Sequence, residues 1–192
     1  DMVDVITRQT DDIRRIVDEF SKFARMPELR RKDENLSALV ESAVSLQQVG
    51  QPNVSINLSQ PKLPIVTSID ATLINQALTN ILKNAGESIE TRMQDTSTSK
   101  HDGVIEVLLK NEPDIIVINI SDNGVGLPQD RSRLFEPYVT TRDKGTGLGL
   151  AIVKKIIEEH GGVLKLEDSE PFKNTGIIGA LISIELPKSK NL

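Results

Sequence analysis

The sequence predicts an α+β fold: a mixed sheet covered on one face by helices, with a long helix ahead of it. Three observations carry this reading. Residues 104–110 and 115–121 read as strands, the first alternating through Ile105, Val107 and Leu109, and the turn between them contains Asn111 and Pro113. Helices over about 70–92 and 148–160 fall between predicted strands, and one over about 36–48 precedes them. Residues 1–25 carry Ile6, Ile13 and Phe20 at seven-residue spacing, with Ile16, Val17, Phe23 and Ala24 beside them, as in a bundle seam.

Met26-Pro27 ends the first helix, because proline disfavours a helical conformation in the residue before it. Residues 28–34 are highly charged and read as a linker. A weak strand follows the second helix at 54–58. Asp70 is placed to cap the long helix, whose buried face is Ile74, Leu78, Ile81, Ala85 and Ile89. The polar run 94–103 reads as a loop. Gly161-Gly162 stops the last helix, and strands near 163–167 and 177–186 close the chain.

The 192 residues suffice for one domain with an appendage, and 38% hydrophobic with 27% charged residues suits a globular protein. Aromatics make up only 3%, so Ile, Leu and Val must build the core. A net charge of −5 argues against a general nucleic-acid binder. With no cysteine, disulfide and thiolate-metal chemistry are excluded. No apolar run approaches the roughly 20 residues needed to span a bilayer. The chain is therefore expected to be soluble and cytoplasmic, with any membrane anchor in segments upstream.

Three segments carry chemistry. On the long helix, Asn80, Asn84 and Glu87 lie at i, i+4 and i+7 and share a polar face. Neutral amide oxygens there suit a Mg²⁺ whose other ligands are phosphates and water, although asparagines on a solvated face would give the same spacing. Asp122 ends a strand and is followed by Gly124 and Gly126. A carboxylate so placed can accept an exocyclic amine against a wall of bare backbone, but Asp-Asn-Gly alone is also a common turn. Finally, Gly145, Thr146, Gly147, Leu148 and Gly149 run into a helix, where free N–H groups and the dipole favour an anion. A dinucleotide fingerprint would need a strand just before these glycines, and a P-loop would need Lys-Ser/Thr after them; both are absent.

In combination and in this order, the segments resemble the N, G1 and G2 boxes of the histidine-kinase ATP-binding domain. This is the superfamily of gyrase, Hsp90 and MutL. Leu134-Phe135-Glu136-Pro137-Tyr138 resembles its F box, at the start of a lid. The likeness covers about residues 35–187. Arg25-Met26-Pro27 and the Phe-Glu-Pro-Tyr-Val-Thr-Thr-Arg run look most like nitrogen-regulation sensor kinases of the NtrY type.

The resemblance implies a two-layer Bergerat-type α/β sandwich over residues 35–192. Residues 1–27 would be the second helix of a dimerisation and phosphotransfer hairpin, joined by a linker at 28–34. It implies ATP and Mg²⁺ as cofactors. Asn84 would bind Mg²⁺ with support from Asn80, and Lys83 would reach phosphate; Asn80 and Lys83 are the catalytic candidates. Asp122 would select adenine, with Gly124 and Gly126 shaping its wall. Tyr138, Thr141, Arg142 and Lys144 would belong to the lid, and Gly145, Thr146, Gly147, Leu148 and Gly149 would surround the phosphates. A response regulator would be the partner of a homodimeric parent anchored at the inner membrane. One departure is that Gly179 is followed by Ala180 where the family usually has threonine. The lost hydroxyl would have to come from water or Thr175.

Relatives that hydrolyse ATP place glutamate at position 80 as general base. Asparagine cannot take that proton at neutral pH, which favours a kinase over an ATPase. Of the two histidines, His101 sits in a polar loop with no amphipathic helix around it. His160 ends a helix, where a partly cationic imidazole suits the dipole. The phosphoacceptor is therefore expected upstream of residue 1. A serine-directed kinase of the superfamily, or a regulatory nucleotide-binding module, would share the boxes.

Overall fold

A computed structural model describes residues 6, 7, 10, 14, 17, 28–94, 102–131, 133–139, 146–173 and 175–188. Of the first predicted helix, Ile6, Thr7, Thr10, Arg14 and Val17 are helical, and Thr10 Oγ1 donates to the Ile6 carbonyl at 2.9 Å. The other residues of its apolar stripe lie outside the described residues.

Strand β1 (Lys32–Asn35) leads into α1 (Leu36–Gly50), then β2 (Val54–Ser59), β3 (Val66–Ile69) and α2 (Ala71–Gln94). Strands β4 (Gly103–Asn111) and β5 (Ile115–Asp122) follow, then α3 (Gly149–Glu159), β6 (Val163–Asp168) and β7 (Ala180–Pro187). The main sheet runs β2-β4-β5-β7-β6, with β2 parallel to β4 and every other pair antiparallel. It is thus the mixed sheet expected. Part of the charged stretch read as linker is instead β1, which pairs antiparallel with β3, a strand the sequence did not reveal.

Alternation decides which face is inside. In β5, Ile116, Ile118 and Ile120 are buried while Ile115, Val117, Asn119 and Ser121 are half-buried on the other face. Across the sheet they meet Leu109 and Val107 of β4 and Ile184 and Ile182 of β7. The same core receives Val40 and Val44 from α1, Ile74, Leu78, Ile81 and Ile89 from α2, and Val153, Ile156 and Ile157 from α3. Each such side chain contributes roughly 1.5–3 kcal/mol on full burial.

Local devices finish the elements. Asn35 caps α1 by accepting from Ala38 N–H at 3.1 Å. Asp70 caps α2, its Oδ1 accepting from Thr72 and Leu73 N–H at 3.1 and 3.2 Å. Gln48 satisfies β2 on its open edge, donating to Val54 O at 2.7 Å and accepting from Ile56 N–H at 2.8 Å.

His160 departs from its sequence reading. It is buried, and its ring is neutral, not partly cationic. Its Nδ1 lies 2.7 Å from the Ile156 carbonyl, which can only accept, so Nδ1 carries the proton. Nε2 then accepts from Asp70 N–H at 3.0 Å, which requires a neutral ring. Burial, with the nearby Arg31 charge, holds its pKa below 6.5 against the raising effects of the Ile156 bond, Asp70 and Glu159. Between the folded value and 6.5 the unfolded chain takes up a proton that the folded chain refuses. Stability is therefore complete above pH 6.5 and falls as pH drops through that window. Urea midpoints at about pH 7.5 and 5.5 should differ in the parent more than in His160→Gln. Equal pH slopes in the two would contradict a neutral buried imidazole.

Candidate functional site

Asp122 is where the site begins, and strand phase explains its position. It follows Ile116, Ile118 and Ile120 at period two, so its carboxylate falls on the core face at the very end of β5, opposite Ile105. It is 4% exposed. One oxygen accepts from Gly124 N–H at 2.8 Å, which folds the Asp-Asn-Gly turn back on its own side chain.

That turn is held by residues the sequence did not single out. Asn123 is fully buried, and its backbone N–H donates to Val104 O at 3.2 Å. Its side chain accepts from Val104 N–H and donates to Asp102 O, both at 2.8 Å. The amide thereby carries the β4–β5 ladder past its last pair. Ser88, buried on α2, accepts from Val125 N–H at 3.1 Å. A Cβ on Gly124 would come within 2.7 Å of the Ser88 main-chain carbon, so only glycine lets the turn lie on α2.

Gly179 closes the opposite wall. A Cβ there would overlap the Asp122 carbonyl oxygen and lie 3.0 Å from Gly124 N. Gly179 N–H donates to buried Ser169 Oγ at 2.9 Å, and Ser169 N–H donates to Gly179 O at 3.0 Å. Ala180 comes next, one step beyond the Ser121–Leu181 pair, on the core face near Asp122. Thr175, the suggested source of a replacement hydroxyl, accepts from Ile177 N–H at 3.2 Å within the β6–β7 loop. Gly126 has a φ of 77°, a left-handed turn that suits glycine.

The second half of the site lies between α2 and α3. Asn80, Asn84 and Glu87 are half-buried on one side of α2, as predicted from their spacing. Lys83 is exposed, 3.8 Å from Glu87 Oε1. A Cβ on Gly149 would stand 3.7 Å from Asn84 Nδ2, so the first turn of α3 faces the Asn84 amide. No side chain caps α3 through its N-cap residue, Leu148. Such an N-terminus presents backbone N–H donors and positive partial charge beside a neutral amide, a cradle for an anion and its cation.

Leu148, with no exposed surface, fixes this turn in the core. Gly147 has a φ of 70°, and a Cβ on it would lie 2.6 Å from the Tyr138 carbonyl carbon. Tyr138 N–H donates to Gly147 O at 3.1 Å, pinching together the two ends of the intervening loop. Tyr138 itself has a φ of 66°, unusual for a bulky residue, and its side chain is exposed. Phe135 packs under Lys154 of α3, whose ammonium is 5.0 Å from the ring centre. Thr146 lies at the end of that loop; Thr141, Arg142, Lys144 and Gly145 lie outside the described residues.

Residues 69–190 match the family described as histidine kinase-, DNA gyrase B- and HSP90-like ATPase. The chain belongs to this family. It is 47% identical over 188 residues, 97% of its length, to the nitrogen regulation protein NtrY of Azorhizobium caulinodans, of which it covers 24%. It is 34% identical over 175 residues to the sensory histidine kinase/phosphatase NtrB of Azospirillum brasilense, covering 87% of this chain and 43% of that one. The chain thus spans from about a quarter to under half the length of these relatives. Among solved structures, the mycobacterial sensor histidine kinase MprB superposes with a TM-score of 0.67 at 25% identity, over 83% of this chain and 98% of that one. Histidine kinase ThkA in complex with the response regulator TrrA shares the fold, with a TM-score of 0.72 at 23% identity, over 98% of this chain and 51% of that one. The fold and the ATP-binding class are those that the three boxes implied. Among the described residues, no helix is long and apolar enough to cross a membrane.

Proposed function

We propose that this chain is the ATP-binding catalytic part of a two-component sensor histidine kinase. It binds Mg·ATP and passes the γ-phosphate to a histidine outside residues 1–192, for relay to a response regulator. The observation that carries the reading is the meeting of Asn84 with the first turn of α3, which no N-cap side chain closes. Asp122 accepts the adenine amine, and the bare backbone at Gly124, Gly126 and Gly179 admits the flat base. Helix α3 and the glycines before it hold the phosphates. ATP supplies the phosphoryl group; the chain's residues bind, orient and shield it. Asn80 has no proton-accepting group to activate water, so the γ-phosphate is kept for an incoming imidazole.

Neither histidine of the chain serves as acceptor in this reading. His160 is buried with both nitrogens engaged, and His101 lies outside the described residues. Incubating the chain with Mg·ATP and a separate hairpin peptide carrying the acceptor should give acid-labile phosphohistidine on the peptide. ATP binding without transfer would instead indicate a regulatory module, and acid-stable phosphoserine a serine-directed kinase.

The metal is assigned to Asn84, supported by Asn80. Among the described residues, no group of three or more His, Asp or Glu side chains is placed to hold a cation, so the donors that fit are amide oxygens and nucleotide phosphates. Asn84→Ala should weaken Mg·ATP binding far more than metal-free ATP binding. Calorimetry with and without Mg²⁺ checks this, and equal losses would make Asn84 a phosphate or structural contact.

The parent is proposed to be a homodimer through the helix of residues 1–25. Its described members Ile6 and Val17 are 59% and 53% exposed, surface that a partner helix would cover. Sedimentation of the chain should show self-association that a version beginning at Asp33 lacks. Two monomers would remove this inference.

A further inference from the structure

Helices α2 and α3 meet at two places, the first turn of α3 against the middle of α2 and the end of α3 against the start of α2, and only the first is the nucleotide site. At that end Gly149 faces Asn84. At the other, His160 Nε2 accepts from Asp70 N–H at 3.0 Å. At 1.5 Å per residue, roughly 21 Å of α2 separates Asp70 from Asn84, and roughly 17 Å of α3 separates His160 from Gly149. The helices therefore lie antiparallel, pinned far from the phosphates by one imidazole.

The segment before β1 joins the same junction. Arg30 N–H donates to Asp70 Oδ2 at 3.0 Å, while Arg31 Nη2 donates to the Glu159 carbonyl at 2.8 Å. Leu29 packs against the core beside them. Two consecutive residues of an otherwise exposed segment thus grip the start of α2 and the end of α3. His160 ties those two ends directly, using its ring as donor to Ile156 and acceptor from Asp70.

We propose that His160 is a positioning residue for the phosphate end of the site: with Asp70 and Arg31 it clamps the far ends of α2 and α3 to each other and to residues 28–35, so that this segment sets the spacing between Asn84 and Gly149. The proposal rests on reading that site as the seat of Mg·ATP. Two packed helices cannot shift at one end without a shift at the other, because close-packed interiors transmit displacement. The adenine side is built mainly on β5 and β7 and touches α2 through the Ser88–Val125 bond, so it depends on the clamp less than the phosphate end does.

A simple helix cap would need only the bond to Ile156. Asparagine at 160 keeps a donor near the Nδ1 position and loses the acceptor, whereas glutamine keeps an acceptor near the Nε2 position. The test therefore compares His160→Asn, His160→Gln and Arg31→Ala with the parent. Mg·ATP binding is followed by calorimetry, adenosine binding by ligand-observed NMR, and folding by melting. His160→Asn and Arg31→Ala should weaken Mg·ATP about five- to tenfold, the scale of one lost hydrogen bond, and change adenosine binding less than about twofold. His160→Gln should restore most of the Mg·ATP affinity. Parental Mg·ATP affinity in His160→Asn and Arg31→Ala overturns the clamp, as does a parallel loss of adenosine and ATP, which would mark a general destabilisation. A parent that binds no Mg·ATP would overturn the nucleotide reading itself.

Discussion

Gly179→Ala is expected to destabilise the fold by about 3 kcal/mol, at the upper end for overpacking, and to lose detectable ATP binding. The added methyl would overlap the Asp122 carbonyl oxygen and crowd Gly124 N. Both atoms are backbone, so no rotamer change can make room. The β5–β7 ladder and the Asn123 amide hold them from two sides. Gly176→Ala is the matched control. Its φ is 67°, but nothing lies within 4 Å of the new Cβ, so it should cost only the roughly 1–2 kcal/mol of left-handed strain. Urea denaturation and ATP calorimetry on both variants decide the matter. Gly179 has no positive φ, so equal behaviour of the two would mean that the backbone relaxes around the new methyl and that the contact with Asp122 is not the constraint.

Gly179 also shows where reading the sequence stopped short. The glycine was visible, and so was the alanine after it, but the contact joins the start of β7 to the end of β5. Ser88, Asn123 and Ser169 were missed for the same reason. Each acts through one or two side-chain bonds to backbone brought close only by folding, and each leaves no periodic trace. Asp122, by contrast, was legible because it sits in phase with three isoleucines, and alternation carried it to the core face. The polar stripe at 80, 84 and 87 was equally legible because helix geometry is local.

Strands β4 and β5 announced themselves by alternation, and α2 by its stripe and the Asp70 cap. Strands β1 and β3 did not. They have four residues each, and β1 is Lys-Asp-Glu-Asn with its side chains largely outside, so no apolar period marks it. The last strand was predicted from 177 but begins at Ala180. Before it the chain turns, with Phe172 O accepting from Thr175 and Gly176 N–H and Phe172 N–H donating to Ile177 O. His160 was given the wrong charge because its neighbour Asp70 is 90 positions away, and burial between two helices outweighed the dipole at the helix end.

Asp122→Asn should leave the fold intact and remove most ATP affinity. The asparagine oxygen can still accept from Gly124 N–H, now at 2.8 Å from Asp122 Oδ1, so the turn survives. What changes is the other arm of the side chain, which becomes an NH₂ donor. The adenine amine is also a donor, so an attractive charged bond becomes a meeting of two donors at a residue only 4% exposed to water. A hydrogen bond to a charged group is worth roughly 1.5–3 kcal/mol, which corresponds to about a 10- to 150-fold weaker complex. Guanine presents an oxygen acceptor where adenine has its amine, so the parent should prefer ATP strongly and the variant should lose that preference. Calorimetry with ATP and GTP on both proteins, with melting curves alongside, measures each part. Equal affinity of the parent for the two nucleotides would remove Asp122 as the adenine reader, as would an asparagine variant that binds ATP like the parent.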